Sequence, residues 1–139
     1  MSSRRKSREY ALQMLFQWDI THDSIEQITA TFWDNQDEPE ETRVFAEALA
    51  SGAIAGVEKI DTLIVRHAEN WRLDRMAVVD RNILRLAIHE FLYDAETPKV
   101  VVINEAIEIA RRFGAQESPQ FINGILDSVR KEVENPGAQ

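Results

Sequence analysis

The stretch from Ile83 to Leu92 is apolar on two helical faces at once, and no other feature narrows the possible folds of this chain as much. Val79, Ile83, Leu86 and Ala87 repeat at helical spacing, and Leu84, Ile88, Phe91 and Leu92 form a second stripe. A helix over about Met76 to Tyr93 with that much apolar circumference needs partners on most sides, so it belongs in the middle of a bundle.

The rest of the chain supplies those partners. A first helix runs from about Arg4 to Ile20, with Leu12, Leu15 and Phe16 on one face and Ala11 and Trp18 near its edges. A second starts at Ser24, whose hydroxyl caps it while Gln27 reaches back; Ile25, Ile28, Phe32 and Trp33 make its stripe. Asp34 to Glu41, with five acids, Asn35 and Pro39, reads as a loop. A third helix, Glu41 to Ile60, shows Phe45, Ala48, Leu49, Gly52, Ala55 and Gly56, small residues suited to close helix packing. Asp61 reads as the cap of a short fourth segment holding Leu63, Ile64 and His67. After Pro98 the β-branched run Val100 to Ile103 looks strand-like, but Ile103, Ala106, Ile107, Ala110 and Phe113 keep helical spacing. Gly114 stands where a left-handed C-cap is wanted, and Ser118-Pro119 gives an N-cap with proline at the first helical position. Ile122, Ile125, Leu126 and Val129 carry the last helix, and mid-helix Gly124 favours close packing. The expected fold is an all-α bundle of six or seven helices in one domain over residues 1–139. It divides into packed halves of about 1–60 and 61–135.

Charge is unevenly placed. The first eight residues hold Arg4, Arg5, Lys6 and Arg8 and no acid, on a chain of net charge −8, which leaves −12 on the remainder. A basic arm on an acidic body reads as a contact for a polyanion, nucleic acid first, or as a solvated terminus. Cations in the first turns oppose the helix dipole, a cost that a phosphate partner would offset. Four contacts to single-stranded RNA give a salt slope of log affinity of about −3. Gln120 and Phe121 open the last helix, whose free amides suit an anion. Phe121 either stacks on a base or packs into the bundle as a staple.

Catalysis is not expected. There is no cysteine, which removes thiol nucleophiles and zinc-thiolate sites. His22, His67 and His89 share no spacing, Glu-x-x-His is absent, and no phosphate-cradling glycine loop or nucleophile elbow occurs. No metal or other cofactor is expected. No run of 18 apolar residues exists, and Glu9, Gln13, Gln17 and Asp19 interrupt the stretch behind the arm. The expected address is cytoplasmic, with the arm part of the mature protein.

Three strings occur together and in order: RRKSREYALQMLFQW, DRNILRLAIHE, and PKVVVINEAIEIARRFG followed by SPQFINGILD. With that order and spacing across nearly the whole chain, the sequence resembles the NusB family of transcription antitermination factors. The resemblance implies an all-α RNA-binding fold that takes the boxA element of nascent RNA together with NusE, a ribosomal protein of the small subunit. It also implies a place in the RNA polymerase antitermination complex acting on ribosomal RNA operons. It implies RNA contacts at Arg4, Arg5, Lys6, Arg8, Gln120 and Phe121, with Phe16 beside them, and tips Phe121 toward base contact. It places the NusE face at Asp74, Asp80, Arg81 and Arg85, whose other reading is a solvated helix face. His89 replaces a common family tyrosine, and some family members self-associate as homodimers. The competing function is a helical protein–protein scaffold without sequence-specific RNA binding.

Overall fold

A computed structural model describes residues 3–136. Among them are seven α-helices and no strand: α1 (Ser3–Thr21), α2 (Ile25–Phe32), α3 (Glu40–Ala55), α4 (Val57–His67), α5 (Val78–Tyr93), α6 (Lys99–Phe113) and α7 (Ser118–Glu134), with a 3-10 turn at Leu73–Arg75. The doubly apolar helix is central as expected. α5 packs against α1, α3, α4, α6 and α7, and every residue from Asn82 to Ile88 is buried. One contiguous core takes side chains from all seven helices, Leu15, Ile28, Ala46, Ile60, Leu84, Ile109 and Leu126 among them.

Local chemistry explains several boundaries. The Ser24 hydroxyl accepts from the Gln27 amide at 3.1 Å while the Gln27 side chain accepts from the Ser24 amide at 2.8 Å, the expected capping box. α1 ends at His22, in the left-handed region at φ 64°. α1 and α5 run antiparallel, because Arg8 near the start of α1 pairs with Glu90 near the end of α5, and Asp19 pairs with Arg81.

Six local expectations are corrected. Helix spacing is continuous from residue 41 to 67, yet the chain breaks at Gly56, which caps α3 and precedes α4 at φ −101°. Asp61 is therefore inside α4, where it accepts from Arg85, and caps nothing. The buried face of α3 is Thr42, Ala46, Leu49, Ala50 and Ala53, with Ala48 exposed, because α1 and α5 both approach the alanine side. Gly114 is extended (φ −95°, ψ −175°); it is glycine because a Cβ there would meet the Ser118 side chain at 2.7 Å. Gly124 faces open space, with nothing within 4 Å of a built Cβ, so close packing does not explain it. Ser118 is the first residue of α7 rather than its cap, and its hydroxyl instead accepts from the Ala115 amide at 2.9 Å.

Candidate nucleic-acid interface

The four arm cations lie on α1, whose first turns sit against α3, α5 and the start of α6, and carboxylates or rings meet each of them. The Arg4 guanidinium stacks on Phe45, 3.8 Å from the ring centroid, and its side chain is exposed. Arg5 donates to both oxygens of Glu105 at 3.0 and 2.6 Å, with 35% of its side chain in solvent. That pair holds the Glu105 carboxyl below its ordinary range and the Arg5 guanidinium above its own, the shared hydrogen bond being the main cause. Lys6 lies 3.2 Å from Glu38, whose carboxylate also accepts from the Tyr10 hydroxyl and pushes that phenol up to about 12. Arg8 differs in kind. It is buried and donates to both oxygens of Glu90 at 2.9 and 2.8 Å; burial works against its charge, but that pair outweighs the penalty and keeps it raised.

The unfavourable helix-dipole position of these cations is thus offset inside the protein. Three of them, Arg4, Arg5 and Lys6, remain at the surface, and the fourth clamps α1 to α5.

From the arm, one flank of α1 continues through Arg5, Glu9, Gln13 and Phe16 at spacings of three or four residues, which stacks them on one side of the helix. Glu9 accepts from Arg112 at the end of α6 at 2.9 Å, so the turn after α6 lies further along this flank. Phe16 is 41% exposed and lies off the core face, which is made of Ala11, Leu12, Met14 and Leu15. The start of α7 is fixed near the same end of α1. The Ser118 hydroxyl lies close enough to Asp80 in the first turn of α5 to lower its carboxyl, while the adjoining Arg81 and Asn82 donate to Asp19 of α1. The Ser118–Phe121 turn is thus tied through α5 to the far end of α1 from the arm, and about 16.5 Å of helix separates Arg5 from Phe16 at about 1.5 Å per residue.

At that turn the anion site expected from a bare helix start is narrow. Pro119 has no amide hydrogen, Ser118 donates to Ala115 and Phe121 donates to Glu117, which leaves the Gln120 amide beside an exposed Gln120 side chain. Phe121 is half-buried. It packs against the core and meets Trp71 edge to face, centroids 5.5 Å apart. The staple and base-stacking readings thus share one ring, part inside and part out.

The four positions assigned to a protein partner separate. Asp74 is exposed and pairs loosely with Arg72 at 3.2 Å. Arg81 donates to both Asp19 oxygens at 2.7 and 2.9 Å, and Arg85 to both Asp61 oxygens at 2.8 and 3.0 Å and to Asp19 at 3.0 Å. Burial alone would raise the Asp19 carboxyl, but the bonds from Arg81 and Asn82 and the charge of Arg85 hold it below the ordinary range. Asp80 is buried, and burial raises its carboxyl, with Ser118 opposing. This is a cross-helix network joining α1, α4 and α5, and the solvated face expected as the alternative is absent from it.

Sequence reading missed three contributors. Glu90 and Glu105 were indistinguishable from surface acids until the fold set them opposite Arg8 and Arg5. Trp71 lies in a connection with no periodicity to mark it. No group of three or more candidate metal ligands exists among the described residues. No described helix is long and apolar enough to cross a membrane.

Fold and flank together describe a seven-helix bundle bearing a basic and aromatic strip along its first helix. The family model described as the NusB family matches residues 5–131, and the chain belongs to that family. A transcription antitermination protein NusB from Koribacter versatilis is 56% identical over 133 residues, covering 95% of this chain and 91% of that protein. The solved structure of T. maritima NusB is 37% identical, superposes with a TM-score of 0.84, and covers 95% of this chain and 93% of its own. A crystal structure of the antitermination factors NusB and NusE in complex with double-stranded RNA shares the fold at a TM-score of 0.83 and 23% identity, covering 94% of this chain and 98% of that one. A second relative, from Solibacter usitatus, is likewise a transcription antitermination protein NusB, 45% identical over 140 residues, covering 99% of this chain and 95% of that protein.

Proposed function

We propose that this protein is a non-catalytic RNA-binding adaptor in transcription antitermination. It takes boxA-type single-stranded RNA along the flank from Arg4, Arg5 and Lys6, past Phe16, to Gln120 and Phe121. It acts with NusE, in the RNA polymerase antitermination complex of the cytoplasm, in support of ribosomal RNA transcription. The observation that carries the reading is the pairing of surface cations in the first turns of α1 with partly exposed aromatics, Phe16 near its other end and Phe121 in the first turn of α7. Phosphates exchange with surface carboxylates at Arg5 and Lys6, while unpaired bases reach Phe16 and Phe121. Arg8 holds the helix rather than the RNA. The NusE face takes Asp74 as its exposed charge, with Asp80, Arg81 and Arg85 setting the shape of the surface behind it.

Titration of labelled boxA-type RNA against a scrambled RNA of equal length, with and without NusE, tests this. The expected result is tighter binding of boxA and a further gain with NusE. Equal affinity for both RNAs counts against sequence recognition.

One observation favours the scaffold alternative: each arm cation already has a partner within the protein. Changing Arg4, Arg5 and Lys6 together to Gln separates the two. Unchanged RNA affinity favours the scaffold, and a large loss favours the adaptor.

A further inference from the structure

Trp71 occupies the connection between α4 and α5, with 52% of its surface in water. The other tryptophans are treated differently: Trp18 and Trp33 pack against the core, and Trp33 Nε1 donates to Glu47 at 2.6 Å. A half-exposed indole adds little to the core, yet the backbone takes an uncommon conformation to present it. Asn70 lies in the left-handed region at φ 66°, and the Trp71 amide closes the turn by donating to the Ala68 carbonyl at 3.1 Å. This turn aims the indole at the first turn of α7, where it meets Phe121 with the rings at 68° to each other. Two rings at that angle make a corner, one face a floor and the other ring a wall, which fits a single flat aromatic guest. The same connection carries exposed Arg72 and Arg75, one or four residues away, suited to the phosphates on either side of such a guest.

We propose that Trp71, with Phe121, forms the seat for one unpaired nucleobase of the bound RNA. Trp71 is thus a further RNA-contacting residue and selects single strands over duplex. The inference rests on the adaptor reading and deepens it. A base is favoured over a protein side chain because the corner continues the flank that ends at Gln120 and Phe121. Stacking is also tolerant of base identity but requires the base to be unpaired.

The test uses the full chain and a labelled boxA-type single-stranded RNA, with Trp71→Ala, Trp71→Phe and Phe121→Ala. Thermal unfolding of each variant is followed to confirm that it folds. RNA is expected to quench the tryptophan fluorescence of the parent chain. Trp71→Ala should lose most of that quench and bind roughly tenfold more weakly with an unchanged salt slope, as loss of one stacked base predicts. Trp71→Phe should restore most of the affinity. If Trp71→Ala binds RNA like the parent while Phe121→Ala is weakened, the seat is wrong and the adaptor reading survives. If Trp71→Ala instead loses NusE and keeps RNA, the indole docks protein and the proposal is overturned. If the parent chain itself shows no preference for this RNA, it is the adaptor reading that has failed.

Discussion

Gly52 and Gly124 both sit inside helices, and the structure gives them opposite meanings. A Cβ at Gly52 would lie within the His89 ring, whereas a Cβ at Gly124 would meet nothing within 4 Å. Gly52→Ala should therefore cost about 1–3 kcal/mol by overpacking against the His89 ring, which must shift to admit the methyl group. Gly124→Ala should add about 0.5–1 kcal/mol through helix propensity. Urea unfolding of the two variants should move the midpoint in opposite directions. Spacing alone grouped these glycines as packing residues. The difference between them is set by His89, a residue 37 positions from Gly52 in sequence and invisible to any local pattern. His89 makes a second prediction at this scale. Burial pushes its imidazole below the ordinary 6.5, and Nδ1 is buried with no partner among the described residues. A depressed histidine stabilises the fold above its ordinary value and withdraws that stability as pH falls through the folded value. Stability should thus decline from about pH 6.5 downward, and His89→Gln should flatten that part of the curve when unfolding free energy is measured against pH. Parallel curves for parent and variant would contradict it.

At the scale of helices, the strongest device is the clamp between α1 and α5. Arg8 and Glu90 are both nearly inaccessible and doubly hydrogen-bonded, so removing Glu90 leaves the buried Arg8 charge only the more distant Glu105, 3.8 Å away. Glu90→Ala should cost about 3–5 kcal/mol, whereas the paired change Arg8→Met with Glu90→Leu should cost much less. Denaturant titration of the single and double variants checks this, and a single variant as stable as the double one would contradict it. Helix number and order were legible because apolar spacing is a property of neighbouring residues. The break at Gly56 was not, since spacing stays in phase across it and neither side carries a distinctive cap. The role of Arg8 was not legible either: a buried and a surface arginine look alike in a run of cations. The aromatic turn at Ser118–Phe121 was half legible. Proline after serine marked the start of α7, but only the fold shows that Ser118 is tied to Asp80 and Ala115 and that Phe121 faces Trp71.

For the whole molecule, an acidic bundle of net charge −8 carries a run of surface cations, Arg4, Arg5 and Lys6, in the first turns of α1 and an exposed ring, Phe16, near its other end. On such an acidic body the arm gives a polyanion a local place to land. The burial of Arg8 lowers the expected number of phosphate contacts in the arm from four to three, and with it the salt dependence. The most direct test is the affinity for boxA-type single-stranded RNA measured across a range of salt concentrations, for the parent chain and for Arg4, Arg5 and Lys6 changed together to Gln. The account predicts that the triple change makes the slope of log affinity on log salt shallower by about 2, the share of the three arm cations. A slope that the triple change leaves untouched would place the RNA elsewhere on the molecule.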